Sequence, residues 1–345
     1  MSYNRYGFKQ KSAFKRDGTS LYSPVSVDYG TLDSYNDGAV SDAIATINQL
    51  NPNHKYLMFA MLSDIHKGHN FSYAGIDARA EQTFQMIAKV NASCSFDAIV
   101  CGGDLLNGYD EVQYYEENLD WTASKFNQYF QNTAVCTTVG NHDKKYNADV
   151  PLRTNDFLSG KYKSFISASA DATVRELEGY PTNYALDFNK YKVRLILFSG
   201  YDFADSLPTD RQTEHNSTGR WKRYMNMPNA DEWMIGTLSH TPFADDSAVS
   251  HFLDGTSSSD FKNTNGCKGK GYIGTFRGHT HSYKKDSDIQ ITVGCSYEVA
   301  SYIGKRVSGE FVVFIVDTDQ DKVHAVRVGR GAENGIDTMS IQYSS

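Results

Sequence analysis

Five short motifs in this sequence contain side chains that bind divalent metal ions. They supply carboxylate, imidazole and amide groups, and none of them contains a cysteine. This ligand set suits Mn, Fe, Zn, Co or Ni and differs from the all-oxygen cage that Ca²⁺ prefers. In chain order the motifs are Ser63-Asp64-Ile65-His66, Gly102-Gly103-Asp104, Gly140-Asn141-His142-Asp143, Ser239-His240-Thr241 and Gly278-His279-Thr280-His281.

The spacing within the motifs leads to two expectations about geometry. Asp64 and His66 lie two residues apart, as do His279 and His281. In an extended segment, both members of each pair would face the same side. Asp104 offers two carboxylate oxygens and is therefore able to bridge two ions. We also expect the glycines beside these residues to let the backbone turn sharply next to the metals.

Each motif directly follows an apolar segment of strand length, which predicts a buried strand. Predicted helices alternate with the first three strands, and this β-α-β-α-β order implies a parallel sheet covered by helices. The carboxyl ends of such strands are where α/β proteins bind ligands. We therefore expect the five motifs to meet at one edge. The predicted strands are 56–62, 97–101, 134–139, 233–239 and 272–277, and the helices are 39–50, 76–91 and 117–130.

The second half of the chain is rich in further strand patterns. Residues 150–182 are predicted to hold helical pieces, including one near 171–178, and residues 255–271 a long loop. The predicted fold class is α/β, a four-layer α/β/β/α sandwich of two mixed sheets flanked by helices. The additional predicted strands are 183–188, 191–199, 289–294, 309–317 and 323–328.

The ordered series DxH, GGD, GNHD, SH and GHTH resembles the motifs of the calcineurin-like metallophosphoesterase family, and the resemblance spans residues 64–281. It implies the metal-bearing four-layer α/β sandwich of that family and the hydrolysis of phosphoric ester bonds. It also implies two divalent transition-metal ions bridged by Asp104. The first ion would be held by Asp64, His66 and His281, and the second by Asn141, His240 and His279. His142 would hydrogen-bond the substrate phosphate.

The predicted function is hydrolysis of phosphate mono- or diesters by attack of a metal-bridging hydroxide, with His142 helping to protonate the leaving group. Asp143 is a candidate for orienting His142, and a loop-capping carboxylate is the alternative for it. His69 and Lys144 follow the first and third motifs and are candidate substrate contacts, with surface positions as their alternative.

The chain has 345 residues and a formal net charge of −7, which argues against bulk binding of nucleic acid. A small phosphoester attracted to a local cationic metal site remains compatible with that charge. The sequence lacks a leader-like apolar segment and an apolar run of membrane length, so we expect a cytoplasmic location without a membrane. The five cysteines are odd in number and scattered, which argues against a disulfide framework.

The motifs leave the substrate open among monoesters, nucleotides, cyclic nucleotides, phosphoproteins and nucleic acids. A degenerate binding protein is disfavoured because all seven expected ligands and His142 are present. Another alternative is a structural or assembly-associated protein that carries this domain and docks through its terminal segments. We expect residues 1–50 to form an N-terminal arm and helix, 51–330 the metallophosphoesterase domain and 331–345 a C-terminal tail. The oligomeric state is not indicated.

Overall fold

A computed structural model describes most of the segments that carry the motifs. Three α-helices lie in the described residues: α1 (Ser34–Leu50), α2 (Ile76–Cys94) and α3 (Val112–Tyr129). None of them combines the length and apolarity that a membrane crossing needs. The described residues are 34–68, 76–107, 112–143, 169, 171–177, 180–198, 229–241, 253, 269–296, 299–300, 306–307, 309–329 and 335–344.

The strands form two large mixed sheets and one small hairpin. The first sheet has the order β15-β14-β13-β1-β2-β3, and the second has the order β4-β5-β6-β7-β8-β10-β9. The strands are β1 (Leu57–Leu62), β2 (Ala98–Cys101), β3 (Ala134–Thr137), β4 (Ala172–Leu177), β5 (Tyr180–Phe188), β6 (Val193–Phe198), β7 (Met234–Ser239), β8 (Gly271–Arg277), β9 (Lys284–Ser287), β10 (Gln290–Thr292), β11 (Val299–Ala300), β12 (Arg306–Val307), β13 (Glu310–Asp317), β14 (Lys322–Gly329), β15 (Ile336–Ser340) and β16 (Gln342–Tyr343).

The strands that precede the motifs are parallel within each sheet. In the first sheet β2 lies between β1 and β3 and is parallel to both. In the second sheet β7 is parallel to β6 and to β8. The remaining large-sheet pairs run antiparallel, apart from the parallel pair of β8 and β10. Both sheets are therefore mixed, as predicted.

Two hydrophobic cores explain why the central strands are apolar throughout. One core lies between the first sheet and its helices, and it includes Ile47 of α1, Phe84 of α2 and Phe126 of α3. The other lies between the two sheets. There Phe59 of β1 meets Phe276 of β8, with ring centres 5.3 Å apart. A strand that is buried on both faces has no polar side in its sequence. The two mixed sheets and the helices that cover the first of them confirm the predicted α/β sandwich.

One predicted helix is wrong, because residues 172–177 form strand β4. Ala172 is buried while Thr173 and Arg175 are exposed, which is the alternation of a strand with one covered face. Arg175 also pairs with Asp187 of β5. The sequence Ala-Thr-Val-Arg-Glu-Leu is compatible with a helix when it is considered alone. The segment is a strand because it pairs with β5.

The segment that was predicted as a C-terminal tail contributes strands to both large sheets. β15 pairs with β14 of the first sheet, and β16 pairs with β8 of the second. The domain boundaries stay a prediction. The arm over residues 1–33, the helical pieces predicted in 150–168 and most of the predicted loop 255–271 fall outside the described residues.

A histidine and an aspartate connect the segment between α1 and β1 to the start of β2. His54 Nε2 lies 3.1 Å from Asp97 Oδ2, and His54 Nδ1 lies 3.3 Å from the Cys94 carbonyl oxygen. The same Asp97 oxygen accepts the Met58 N–H at 2.8 Å. The contact with Asp97 raises the pKa of His54 above its usual 6.5, although burial opposes that shift.

We expect His54→Gln to be more destabilising in acid than in alkali. Because the folded pKa is raised, the extra stability is fully present below the unfolded pKa of about 6.5 and disappears as pH rises through the folded pKa. The loss in free energy of unfolding should be about 0.5 to 1 kcal/mol larger near pH 5.5 than near pH 9. Urea unfolding of both proteins at each pH measures it, and an equal loss at both pH values would contradict it.

Candidate metal centre

The five motifs occupy the carboxyl ends of five strands, and backbone hydrogen bonds hold the first two loops together. Asp64 donates its N–H to the Gly103 carbonyl at 3.0 Å, and Ile65 donates to the Asp104 carbonyl at 2.8 Å. The loops after β1 and β2 therefore run side by side beyond the ends of their strands. The loops after β7 and β8 approach them from the second sheet.

Four of the predicted metal ligands form a first group. Their ligand atoms all lie within 4.8 Å of one another. His66 Nε2 and His281 Nε2 are 3.1 Å apart, and Asp64 Oδ1 lies 3.3 Å from His281 Nε2. Asp104 Oδ2 lies 3.5 Å from His66 Nε2. The members are Asp64, His66, Asp104 and His281.

A second group shares Asp104 with the first. His240 Nε2 lies 3.0 Å from Asp104 Oδ2 and 3.2 Å from His279 Nδ1. The side-chain oxygen of Asn141 is 3.0 Å from the same His240 nitrogen. Within the described residues, the ligand atoms of Asp104, His240 and His279 lie within 4.8 Å of one another. The structure thus brings all seven predicted metal ligands together as two adjacent groups.

The two carboxylates each use one oxygen for the backbone and direct the other into the centre. Asp64 Oδ2 accepts the His279 N–H at 2.9 Å, and Asp104 Oδ1 accepts the His142 N–H at 2.8 Å. Asp64 Oδ1 and Asp104 Oδ2 are buried, and although imidazole nitrogens lie near them, no group among the described residues makes a well-aligned hydrogen bond to either oxygen. Burying such oxygens is costly unless a cation compensates them. The donor set therefore fits divalent ions.

A backbone carbonyl fixes which nitrogen of His240 faces the centre. His240 Nδ1 lies 2.8 Å from the Gly102 carbonyl oxygen. A carbonyl only accepts, so Nδ1 carries the proton and donates it. When the ring gives up its second proton, the lone pair of Nε2 points toward Asp104, and this neutral form is the one that binds a metal.

The ionisation of these groups reflects a strongly anionic pocket. Burial raises the pKa of Asp64, but the contacts with His281 and His66 outweigh it and hold the net value below the usual range. Burial lowers the pKa of His240, but Asp104 and Asp64 raise it to about 9. The pKa values of His66 and His279 are lowered, chiefly by burial. The carboxylates thus attract a positive charge, and a metal bound here would displace the His240 proton.

The expectation of extended segments at the paired ligands is wrong. Their residues follow the strand ends and have φ angles of 50° to 78°, in the left-handed region. Asp and His tolerate this region better than most residues, yet it is unusual for any side chain other than glycine. The ligands converge because the backbone turns around the centre, and strand alternation plays no part. The residues concerned are Asp64, His66, Asp104, His279 and His281.

The neighbouring glycines mainly provide space. A Cβ on Gly140 would lie 2.0 Å from Asp104 Oδ1, and one on Gly278 would lie 1.9 Å from Ser63 Oγ. Gly103 does have a positive φ, of 94°, as a sharp turn requires. The predicted turn is therefore found at Gly103, whereas Gly140 and Gly278 permit close approach of two loops.

His142 lies beside the first group, in contact with its ligand His66. The two rings are nearly perpendicular, with centres 4.5 Å apart. His142 Nδ1 contacts the backbone carbonyl oxygen of Asn107. The sequence motifs did not indicate Asn107, because a main-chain acceptor leaves no side-chain pattern.

Asp143 is fully buried and connects two loops. Its Oδ1 accepts the Leu106 N–H at 3.0 Å, and its Oδ2 accepts the Gly140 N–H at 2.8 Å. These contacts match the loop-capping alternative, and a role in orienting His142 stays a prediction. His69 and Lys144 lie outside the described residues.

Comparison with known proteins agrees with this geometry. A sequence profile described as calcineurin-like phosphoesterase matches residues 57–283, which is more than half of the chain. A comparison with curated proteins gave no significant match. The matched segment begins at β1 and extends past the last ligand of the centre, and on this basis the chain belongs to the calcineurin-like phosphoesterase family.

Proposed function

We propose that this protein hydrolyses small phosphate mono- or diesters at a centre of two divalent transition-metal ions. Membership of a family of metal-dependent phosphoesterases supports the reaction class. The observation that carries the proposal is the position of Asp104, whose carboxylate belongs to both ligand groups. A shared carboxylate places two cations next to each other, as two-metal hydrolases of phosphoesters require.

In this proposal, each ligand group would hold one ion. Asp64, His66 and His281 would bind the first, and Asn141, His240 and His279 the second, with Asp104 between them. The nitrogen and oxygen ligands suit Mn, Fe, Zn, Co or Ni. When bound, such ions supply activated water at neutral pH and neutralise charge on the phosphoryl oxygens.

The charge of the centre would attract the substrate. Two divalent ions carry more charge than the two carboxylates that would hold them, so the loaded centre is cationic. The chain as a whole has a formal net charge of −7. A phosphoester is therefore drawn to one point on an otherwise acidic protein.

His142 is positioned to exchange a proton with the substrate. The Asn107 carbonyl accepts from Nδ1–H, so proton exchange takes place at Nε2. The His142 backbone N–H binds Asp104 Oδ1, which keeps the ring next to the proposed ions. We propose that Nε2–H donates to the leaving oxygen as the ester bond breaks, and such help typically contributes roughly 10² to 10⁴ in rate.

A substrate panel tests the proposed activity directly. It should contain bis-p-nitrophenyl phosphate, p-nitrophenyl phosphate, mononucleotides, cyclic nucleotides and phosphopeptides, each with added Mn²⁺. We expect turnover of at least one of them, and the ratio of diester to monoester rates assigns the substrate class. A protein that retains its metals but turns over none of these esters would instead favour a binding or assembly role.

Replacement of the shared carboxylate should remove metal. Purified wild-type protein should retain about two transition-metal ions per chain. Asp104→Asn keeps the size of the side chain but removes its charge, so we expect metal affinity to fall by at least about tenfold. Elemental analysis after dialysis measures the retained ions.

Asp187→Asn is the matched control for this experiment. Asp187 is an equally buried carboxylate that pairs with Arg194, away from the motifs. The Asp187→Asn protein should retain both ions. An Asp104→Asn protein that keeps two ions and full activity would disprove the bridging assignment.

His142→Ala should keep both ions and lose turnover. The loss should be roughly 10² to 10⁴ for an alkyl phosphate, whose leaving oxygen needs a proton. It should be smaller for p-nitrophenyl phosphate, because that leaving group departs as a stable anion. Steady-state kinetics with both substrates measures the difference, with His54→Ala as a control distant from the motifs. Equal losses for the two substrates would argue against proton donation.

A further inference from the structure

The loop between β8 and β9 contributes a ligand to each metal group. His281 belongs to the first group, and His279 belongs to the second. Both residues have left-handed φ angles, of 57° and 78° respectively. Backbone of this kind persists only where its surroundings enforce it. Contacts made by residues of this loop therefore contribute to holding His279 and His281 in place.

Tyr283 ends this loop and is held by two strands of the first sheet. Its hydroxyl donates to Asp337 Oδ2 of β15 at 2.8 Å. The guanidinium of Arg327, on β14, lies over its ring at 4.1 Å from the ring centre. Only Ser282 separates Tyr283 from His281, so the position of the Tyr283 backbone restricts where His281 can lie.

A third strand holds the backbone at the same point. Burial raises the pKa of the Glu310 carboxyl, on β13, and contacts with Arg327 and with the Tyr283 backbone oppose that shift. Arg327 Nη2 also donates to Glu310 Oε2 at 3.3 Å. Gly294 leaves room for this carboxylate, since a Cβ there would lie 1.7 Å from Glu310 Oε1. Three successive strands thus each direct one charged residue to Tyr283.

Simple packing does not explain this arrangement. The Glu310 side chain is only 10% exposed, and a buried charge is costly unless its partners compensate it. An apolar contact would hold the two sheets together without that cost. Glu310, Arg327 and Asp337 also lie beyond the segment that matches the family, which ends at Tyr283 itself.

We propose that Tyr283 is a positioning residue for both metal groups, fixed by Glu310, Arg327 and Asp337, so that the C-terminal strands tune metal affinity. The proposal rests on the metal centre of the proposed function. Outer contacts of this kind orient metal ligands, and their loss typically weakens binding by about 10- to 100-fold.

Tyr283→Phe tests the proposal, because it removes only the hydroxyl and keeps the ring beneath Arg327. Tyr272→Phe is the matched control. Tyr272 is a buried tyrosine of β8 whose hydroxyl contacts Thr237 and Thr275, at 2.7 Å and 2.5 Å. Each protein is titrated with Co²⁺, and the visible absorption of the bound ion together with chelator competition gives the affinity. We expect about tenfold weaker binding for Tyr283→Phe and less than about twofold change for Tyr272→Phe.

Two variants of the partner residue separate positioning from general stability. Asp337→Asn retains an oxygen that accepts the Tyr283 hydroxyl and should bind Co²⁺ like the wild type. Asp337→Ala should weaken Co²⁺ binding as Tyr283→Phe does. The protein that combines Tyr283→Phe with Asp337→Ala should show little further loss of Co²⁺ affinity. If Tyr283→Phe does not fold, the contrast between these two Asp337 variants decides the question.

Equal Co²⁺ affinity in the two phenylalanine variants, or in the two Asp337 variants, would overturn the positioning role. This result is independent of catalysis. A wild-type protein that binds two Co²⁺ ions but hydrolyses no ester would refute the proposed function, while the affinity ratios would still decide the role of Tyr283. A wild-type protein that binds no Co²⁺ would overturn both.

Discussion

Two carboxylates buried between the ends of two sheets are the constraint on which this structure depends. Asp64 and Asp104 are removed from water, and each directs an oxygen at a cluster of imidazoles. Negative charge in such a place requires positive charge beside it. Three features bring groups that can carry or bind positive charge to this point. They are the surrounding histidines, the close packing of the loops at the glycines, and the left-handed backbone of the clustered residues.

Each of the two large sheets provides only some of the residues of the two candidate metal groups. The loops of the first sheet provide Asp64, Asp104 and Asn141, which offer oxygen atoms, and also His66, which offers nitrogen. The second sheet provides His240, His279 and His281, which are nitrogen ligands. Neither sheet contains a complete group, because Asp104 meets His281 in one and His240 in the other. The hydrophobic core between the sheets, including the contact of Phe59 with Phe276, is therefore also what assembles the centre.

Much of this was predictable because the central strands are apolar along their whole length and the motifs directly follow them. β1, β2, β3, β7 and β8 were located from sequence to within about two residues, and the seven expected ligands do meet. The left-handed φ angles were not predictable, since contacts between loops from distant parts of the chain impose them. Nor was β9, whose sequence Lys-Lys-Asp-Ser is polar and which is held in the sheet by pairing with β10. The loop-capping alternative for Asp143 was available from the sequence, but which two backbone N–H groups it binds was not, because main-chain donors leave no side-chain pattern.

A short segment near the end of the sequence limits how the two sheets can move. β15 and β16 are separated only by Ile341, which is buried in the core between the sheets, yet they pair with strands of different sheets. Sliding one sheet past the other by a single residue would require a shift of about 3.3 Å. That shift would break one of these two ladders and draw Ile341 out of the core. The same shift would carry Asp64, His66 and Asp104 away from His240, His279 and His281, so resistance to shear at one end of the molecule preserves the spacing of these side chains at the other.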